Sequence, residues 1–131
     1  VTTEKDENKI KNLKILIVED DEISKLLIDT TLEKMDCSIL HAKNGIEAVE
    51  ICRNNPDIDL VLMDIRMPIM NGYEATRQIR QFNKNVIIVA QTAFALSGDS
   101  EKSVEAGCNE HLSKPIIKQE LFSIIKHYFT K

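Results

Sequence analysis

The chain has 131 residues, of which 43% are hydrophobic and 29% are charged, an amount of material typical of one globular domain. Four glycines and three prolines exclude a collagen-like or Pro/Gly-rich chain, and every apolar run falls far short of the ~20 residues of a membrane helix. The net charge of −4 argues against a dedicated nucleic-acid binder. We therefore expect no direct nucleic-acid binding and no membrane insertion by this segment. The three cysteines, Cys37, Cys52 and Cys108, form no CxxC pair, and they predict small core residues in a reducing, cytoplasmic compartment.

Short apolar runs alternate with helical patterns along the chain. Strands are predicted at 13–18, 37–42, 60–63, 86–90 and 111–113. Helices are predicted at 22–35, from 45 to a break at 54–57, and at 73–82, 99–106 and 117–129. In the first of these helices Ile23, Leu26 and Leu27 lie at helical spacing, and Ile28, Leu32 and Met35 continue the same pattern. Asn44 is predicted to cap the second helix, with Glu47 as its capping partner.

Five strand–helix units predict a parallel sheet that is covered on both faces, a doubly wound α/β fold. Residues 13–131 are expected to form this domain, and residues 1–12 a polar N-terminal extension or linker. Ligands in such folds bind beyond the carboxyl ends of the strands, where the strand order reverses. The residues at those ends are therefore the candidates for function.

Polar side chains stand at four of these strand ends. Glu19 and Asp20 follow the first strand and Asp64 the third, while Thr92 follows the fourth and Lys114 the fifth. Three converging carboxylates repel one another, and Mg²⁺ would relieve that repulsion. One carboxylate could instead attack phosphorus, a reaction that needs a metal and further donors such as Lys114 and Thr92. The alternative is that these are solvated loop residues.

Four segments carry a resemblance to the receiver domain of two-component response regulators, over residues 13–130. They are ILIVEDDE (15–22), LVLMDIRMPIMNGYEATRQIR (60–80), QTAFA (91–95) and AGCNEHLSKPI (106–116). The stretch NGYEATRQIR and the extended N-terminus are most similar to receivers of hybrid sensor histidine kinases. The resemblance implies a flavodoxin-like (βα)5 three-layer sandwich with strand order 2-1-3-4-5.

The resemblance also implies a phosphorylation site. Asp64 matches the phosphoacceptor, and Glu19 and Asp20 match the metal-binding acid pair. Arg66 stands where the family lends a backbone carbonyl to the metal. The implied cofactor is Mg²⁺, with Mn²⁺ as a substitute. The implied donor is a histidine kinase or a histidine phosphotransfer domain, while the downstream output is unknown.

A conformational switch is the third implication. Thr92 matches the hydroxyl that moves to the phosphoryl group, and Lys114 matches the lysine that contacts it. The bond between Lys114 and Pro115 matches a peptide that is usually cis in the family. These groups are expected to change the face built from the fourth helix, the fifth strand and the fifth helix, with His111 as a further switch candidate.

The chain departs from the family pattern at several positions. His111 replaces the usual aromatic ring, Gln91 replaces a commoner apolar residue, and Asn71 replaces a frequent Asp. Arg66 and Phe94 occupy positions that modulate phosphoryl lifetime in the family.

Three other function classes fit the sequence less well. A phosphatase of the haloacid dehalogenase type would need a second acid two residues after Asp64, where Arg66 stands. A receiver-like binding module that is never phosphorylated usually loses the acceptor or the acid pair. A flavodoxin-like carrier would place an FMN phosphate against the acidic loop EDDEIS. With no histidine-kinase motif and no Gly-rich nucleotide loop, the domain is expected to catalyse only its own phosphorylation and dephosphorylation. The sequence leaves two settings open: a stand-alone regulator, or the receiver of a hybrid histidine kinase that could be membrane-anchored.

Overall fold

The computed structural model describes residues 12–92 and 99–130. Strands β1 to β5 occupy Leu13–Val18, Cys37–Ala42, Leu60–Asp64, Ile87–Thr92 and Glu110–Ser113. Helices α1 to α5 occupy Glu22–Leu32, Gly45–Asn54, Gly72–Arg80, Asp99–Ala106 and Lys118–Phe129. The predicted alternation of strands and helices is confirmed. Apart from Asn12, the predicted N-terminal extension lies outside the described residues, as does Phe94.

The five strands form one parallel sheet in the order β2-β1-β3-β4-β5, which confirms the implied topology. The chain runs from β1 to one neighbour, β2, and then crosses back over β1 to form β3 on its other side. The crevice beyond the carboxyl ends of β1 and β3 is therefore the switch point where ligands bind in such folds.

The alternation of side chains along each strand divides the core into two layers. Leu16 and Val18 face a layer that includes Ala48 of α2 and Ile79 of α3. Ile15 and Ile17, which alternate with them on β1, face the opposite layer under α1 and α5. The larger side chains of that layer are Ile15, Ile17, Ile28, Leu32, Leu62, Leu121 and Ile125. Full burial of each large aliphatic side chain contributes about 1.5–3 kcal/mol. The prediction of core cysteines holds for Cys52 and Cys108, whereas Cys37 is half-buried.

Several element ends differ from the prediction. Strands β3 and β4 extend through Asp64 and Thr92, so these two residues end the strands rather than follow them. Strand β4 begins one residue later than predicted because the backbone N–H of Val86 donates to Asn83 Oδ1 at 3.0 Å. Helix α1 ends at Leu32, since a tight turn follows in which the N–H of Met35 donates to the Leu32 carbonyl at 3.0 Å.

Asparagine side chains start two of the helices. Asn44 Oδ1 accepts from the N–H of Glu47 at 2.9 Å, which confirms the predicted cap of α2. Glu47 itself accepts from the N–H of Lys43 rather than from Asn44. Asn71 caps α3 in the same way, through the N–H of Glu74 at 3.0 Å. Such caps are worth about 1 kcal/mol each.

Helix α1 carries apolar side chains on two faces. Ile28 and Leu32 are buried against the sheet. Ile23, Leu26 and Leu27 point outward, with 72%, 63% and 56% of their surface exposed. We call these three residues the α1 apolar face. The helical spacing is as predicted, but these three side chains lie on the surface rather than in the core.

Candidate metal and phosphoryl-acceptor site

Three carboxylates meet at the carboxyl ends of β1 and β3. Glu19 and Asp20 follow β1, and Asp64 ends β3. One ligand oxygen from each lies within 4.8 Å of the other two. Glu19 and Asp64 are almost completely buried, whereas Asp20 is exposed. This arrangement is open on one side, which suits a cation such as Mg²⁺ that keeps several water ligands.

Lys114 reaches into this cluster from the end of β5. Its Nζ lies 2.7 Å from Glu19 Oε1 and 3.2 Å from Asp64 Oδ1. The backbone holds the lysine in place, because its N–H donates to the Thr92 carbonyl at 2.7 Å. The peptide bond between Lys114 and Pro115 is cis, as the resemblance implied. The lysine therefore bridges Glu19 and the acceptor candidate Asp64.

The electrostatics of the cluster are set by burial and by the imbalance of charge. Burial and, after it, the negative charge of Glu19 raise the pKa of Asp64 from 3.8 to about 7, although Lys114 partly opposes both. Burial alone would lower the pKa of Lys114, but its hydrogen bond to Glu19 and the charge of Asp64 raise it above the usual value. The ammonium is therefore firmly charged and still leaves the three acids with excess negative charge. A divalent cation is the group that would balance them.

Thr92 stands at the end of β4 beside this cluster. Asp64 and Gln91 are register partners on β3 and β4, so Thr92 lies one residue beyond the candidate acceptor. Its side chain is 3% exposed, and within residues 12–92 and 99–130 its Oγ1 has no hydrogen-bond partner. A buried hydroxyl without a partner is costly, and the function of this one stays a prediction.

The loop after β3 contains a residue whose function the sequence reasoning missed. The N–H of Gly72 donates to the Ile65 carbonyl at 2.9 Å, which folds the loop back onto the strand end. A Cβ at Gly72 would lie 2.3 Å from the Asp64 carbonyl oxygen. Only glycine permits this approach without moving Asp64. In the sequence, the pair Asn71-Gly72 contributed only to the resemblance to receiver domains, although its glycine held this signal of a close backbone approach.

Two further predicted site residues lie outside the carboxylate cluster. Arg66 is exposed in the loop after Asp64, and the use of its carbonyl as a metal ligand stays a prediction. His111 of β5 is partly buried, and with Ser103, Cys108 and Glu110 it lines a cavity of about 200 Å³ at α4. Its switch function also stays a prediction.

Comparison with known proteins agrees with this geometry. Residues 15–126 match the family described as the response regulator receiver domain. Hybrid signal transduction histidine kinase G of Dictyostelium discoideum is 41% identical over 123 residues, which cover 90% of this chain but 4% of that relative. The chain therefore spans only a small part of this relative's length.

Two solved structures share the fold. The Saccharomyces cerevisiae receiver domain of Ssk1, determined in complex with the histidine phosphotransfer protein Ypd1, is 35% identical with a TM-score of 0.85, over 92% of this chain and 90% of that one. The receiver domain of the Pseudomonas aeruginosa sensor histidine kinase PA1611, which has a magnesium ion in its active-site cleft, is 36% identical with a TM-score of 0.81, over 92% and 99%.

The structure is a doubly wound α/β domain with an acid cluster at its switch point. Both signalling proteins and cofactor-binding proteins have this fold. The family match is specific: this chain belongs to the response regulator receiver domains, the signalling domains of two-component systems. The resemblance stated from sequence is confirmed. Within the described residues, no helix is long and apolar enough to cross a membrane.

Proposed function

We propose that this domain accepts a phosphoryl group on Asp64 from a phosphohistidine donor, with Mg²⁺ held by Glu19, Asp20, Asp64 and the Arg66 carbonyl. The observation that carries the proposal is the convergence of a buried carboxylate, a lysine 3.2 Å away and two further acids at one strand end. Among the described residues, these three acids are the only group of at least three His, Cys, Asp or Glu side chains close enough together to hold a metal ion. Mn²⁺ prefers similar oxygen ligands and would substitute.

The transfer is an exchange of one bond for another. An Asp64 carboxylate oxygen attacks phosphorus, the new O–P bond forms, the P–N bond of phosphohistidine breaks, and the neutral or protonated imidazole leaves with its electron pair. Bound at these oxygens, Mg²⁺ would neutralise the charge of the phosphoryl oxygens. Because the pKa of Asp64 is raised to about 7, the carboxyl group must lose its proton before it can attack.

Lys114 and Thr92 act on the product. Lys114 already lies 3.2 Å from Asp64 Oδ1 and would pair with a phosphoryl oxygen. The free hydroxyl of Thr92 would donate to another. Movement of these two groups would shift the population of the face formed by α4, β5 and α5, with His111 as the third member of the switch.

The phosphodonor we propose is a histidine kinase or a histidine phosphotransfer domain. The support is the α1 apolar face, whose exposed side chains lie on the helix that begins immediately after the acid pair. Exposed apolar side chains of this size typically mark a contact with another protein. A donor seated there would bring its histidine to Asp64.

The same proposal extends to the domain boundaries, the parent protein and the cellular compartment. Residues 13–131 would form the receiver and residues 1–12 a linker, within a hybrid histidine kinase. The domain alone would turn over no substrate beyond its own aspartyl phosphate. The absence of disulfides among the three free cysteines supports a reducing, cytoplasmic compartment.

The test is phosphorylation by acetyl phosphate and Mg²⁺, followed by intact-mass measurement. Wild type should gain one phosphoryl group, and Asp64→Asn should gain none. Asp57→Asn is the matched control, because Asp57 is an exposed acid that binds Lys14 away from the site. Equal incorporation into wild type and Asp64→Asn would contradict the proposal.

A further inference from the structure

The loop after β3 contains a tight three-residue turn. The N–H of Met70 donates to the Pro68 carbonyl at 2.8 Å, and Ile69 between them has a φ of 72°. A bond from one residue to the next but one, around a positive φ, is the rarer and strained kind of γ-turn. A β-branched residue is an outlier at positive φ, so the strain is concentrated at Ile69.

Burial of the Ile69 side chain does not compensate for this strain, because the side chain is 77% exposed. Glycine would adopt the same backbone conformation without strain. The two residues differ in freedom: glycine tolerates a wide range of φ and ψ, whereas isoleucine at positive φ is confined to a narrow well. Ile69 therefore makes the turn rigid but strained. Strain of this kind persists only where the surrounding structure enforces it, and it clusters at functional sites.

Contacts on both sides enforce the turn. Met70 packs on the start of α2, where a Cβ added at Gly45 would lie 2.6 Å from the Met70 carbonyl oxygen. The N–H of Gly72 donates to the Ile65 carbonyl at 2.9 Å and closes residues 65–72 into a ring, which we call the 65–72 ring. The N–H of Ile65 donates in turn to the Gln91 carbonyl at 3.1 Å. The ring is therefore fixed to α2 at one point and to the sheet at another.

The 65–72 ring adjoins the proposed metal site. It begins directly after Asp64 and contains Arg66, whose carbonyl the proposed function assigns to Mg²⁺. A Cβ added at Gly72 would overlap the Asp64 carbonyl oxygen, so the ring also contacts the backbone of the acceptor residue. Within the ring, Ile69 alone has a positive φ. Its conformation therefore helps to set where the Arg66 carbonyl lies relative to Asp64.

We propose that Ile69 is a positioning residue that makes the metal site selective for Mg²⁺ over Ca²⁺, an inference that rests on the proposed function. Mg²⁺ demands a near-octahedral shell with ligands at about 2.0–2.1 Å, whereas Ca²⁺ accepts a flexible shell at about 2.3–2.6 Å. A ring held in one conformation suits the smaller ion, and a ring that can widen admits the larger one. Ile69 is not itself a ligand, and it acts through the position of Arg66.

The experiment measures the binding of Mg²⁺ and of Ca²⁺, each added alone as its chloride, to the unphosphorylated full chain. The Kd for each ion is taken from amide shifts in NMR titrations at pH 8. The variants are Ile69→Gly, which removes the strain, and Ile69→Val, which keeps a β-branched residue. Ile117→Gly is the matched control, because Ile117 is also an exposed isoleucine, at 51%, but has an ordinary φ of −94°.

The expected result is a loss of selectivity in Ile69→Gly. Its Kd for Mg²⁺ should rise about fivefold, which corresponds to a ring that is competent about one fifth of the time. Its Kd for Ca²⁺ should change less, so the ratio of the Ca²⁺ Kd to the Mg²⁺ Kd should fall. The melting temperature of the metal-free variant should be at or above that of wild type, because the strain is gone. Ile69→Val and Ile117→Gly should keep the wild-type ratio.

Three results would overturn the function of Ile69. The ratio of the two Kd values could stay at the wild-type value in Ile69→Gly, it could fall equally in Ile117→Gly, or it could fall equally in Ile69→Val. In each of these cases Mg²⁺ still binds wild type, and the proposed metal site stands. Mg²⁺ binding of wild-type strength in Glu19→Gln combined with Asp20→Asn would overturn the metal site itself.

Discussion

The buried charge of Asp64 should cost the metal-free protein stability, and Asp64→Asn should recover it. Burial and the charge of Glu19 raise the pKa of Asp64 from 3.8 to about 7. At about 1.4 kcal/mol per pKa unit, the ionised group weakens the folded state by roughly 4 kcal/mol. Asn resembles the protonated acid, but its amide N–H needs a partner of its own. We therefore expect a gain of about 2–4 kcal/mol at pH 8.

The size of this effect changes with pH in a defined way. Below pH ~4 both folded and unfolded chains carry a protonated Asp64, so the carboxyl group contributes nothing. Between pH ~4 and ~7 the unfolded chain ionises first, and wild type loses stability relative to Asp64→Asn as the pH rises. Above pH ~7 the difference should be constant.

Urea denaturation in EDTA, followed by circular dichroism from pH 5 to 8.5, measures this difference. Asp57→Asn is the control with the opposite expectation. The hydrogen bond to Lys14 lowers the pKa of Asp57, so removal of this carboxylate should not stabilise the protein. An Asp64→Asn variant that is less stable than wild type at pH 8, or a difference that does not vary with pH, would refute the reasoning.

The remaining predictions concern the metal and the switch. Glu19→Gln combined with Asp20→Asn should abolish the stabilisation by Mg²⁺, which in wild type reaches about 2.7 kcal/mol at a hundredfold excess over Kd; an unchanged thermal shift with Mg²⁺ would contradict the site. Thr92→Ala and Lys114→Ala should still be labelled by acetyl phosphate but should respond less to beryllofluoride in NMR spectra. The loss should be larger for Lys114, because Thr92 supplies one hydrogen bond worth about 1 kcal/mol. His111→Tyr should raise the beryllofluoride-bound active fraction, since a phenol gains more than an imidazole by burial; equal fractions would make His111 a bystander.

Much of the fold could be predicted because its causes are local. Apolar runs and amphipathic patterns determine which segments are strands and helices, and parallel strands bring their carboxyl ends to one edge. Glu19, Asp64 and Lys114 are 45 to 95 residues apart in the chain, yet each stands at a strand end. Their meeting therefore followed from the topology rather than from knowledge of any side-chain contact.

The orientation of α1 could not be predicted in this way. Ile28 and Leu32 are four residues apart, as are Ile23 and Leu27, so both pairs satisfy helical spacing. Helical periodicity indicates that apolar residues share a face of the helix. The packing of the helix against the sheet decides which of those faces is buried. The structure buries Ile28 and Leu32 and leaves the α1 apolar face exposed.

Long-range polar contacts were also beyond the sequence. In the sequence, Arg80 is one of several charged residues on an amphipathic helix, and nothing there indicates that it has a structural function. In the structure its Nε donates to the Gly107 carbonyl at 2.9 Å, and its terminal nitrogens donate to the Val86 carbonyl at 2.7 Å and to Asn109 Oδ1 at 2.8 Å. These bonds join α3 to the chain around β4 and β5. No local pattern distinguishes such an arginine from a solvated one.

The central claim is that Asp64 itself carries the phosphoryl group, and reductive trapping tests it most directly. The protein would be treated with acetyl phosphate and Mg²⁺ and then with borohydride, which reduces an aspartyl phosphate to homoserine. Peptide mass spectrometry would then locate the product. We expect homoserine at position 64 in wild type and none in Asp64→Asn. A phosphoryl group found instead on a serine or histidine, or homoserine at position 20, would contradict the account.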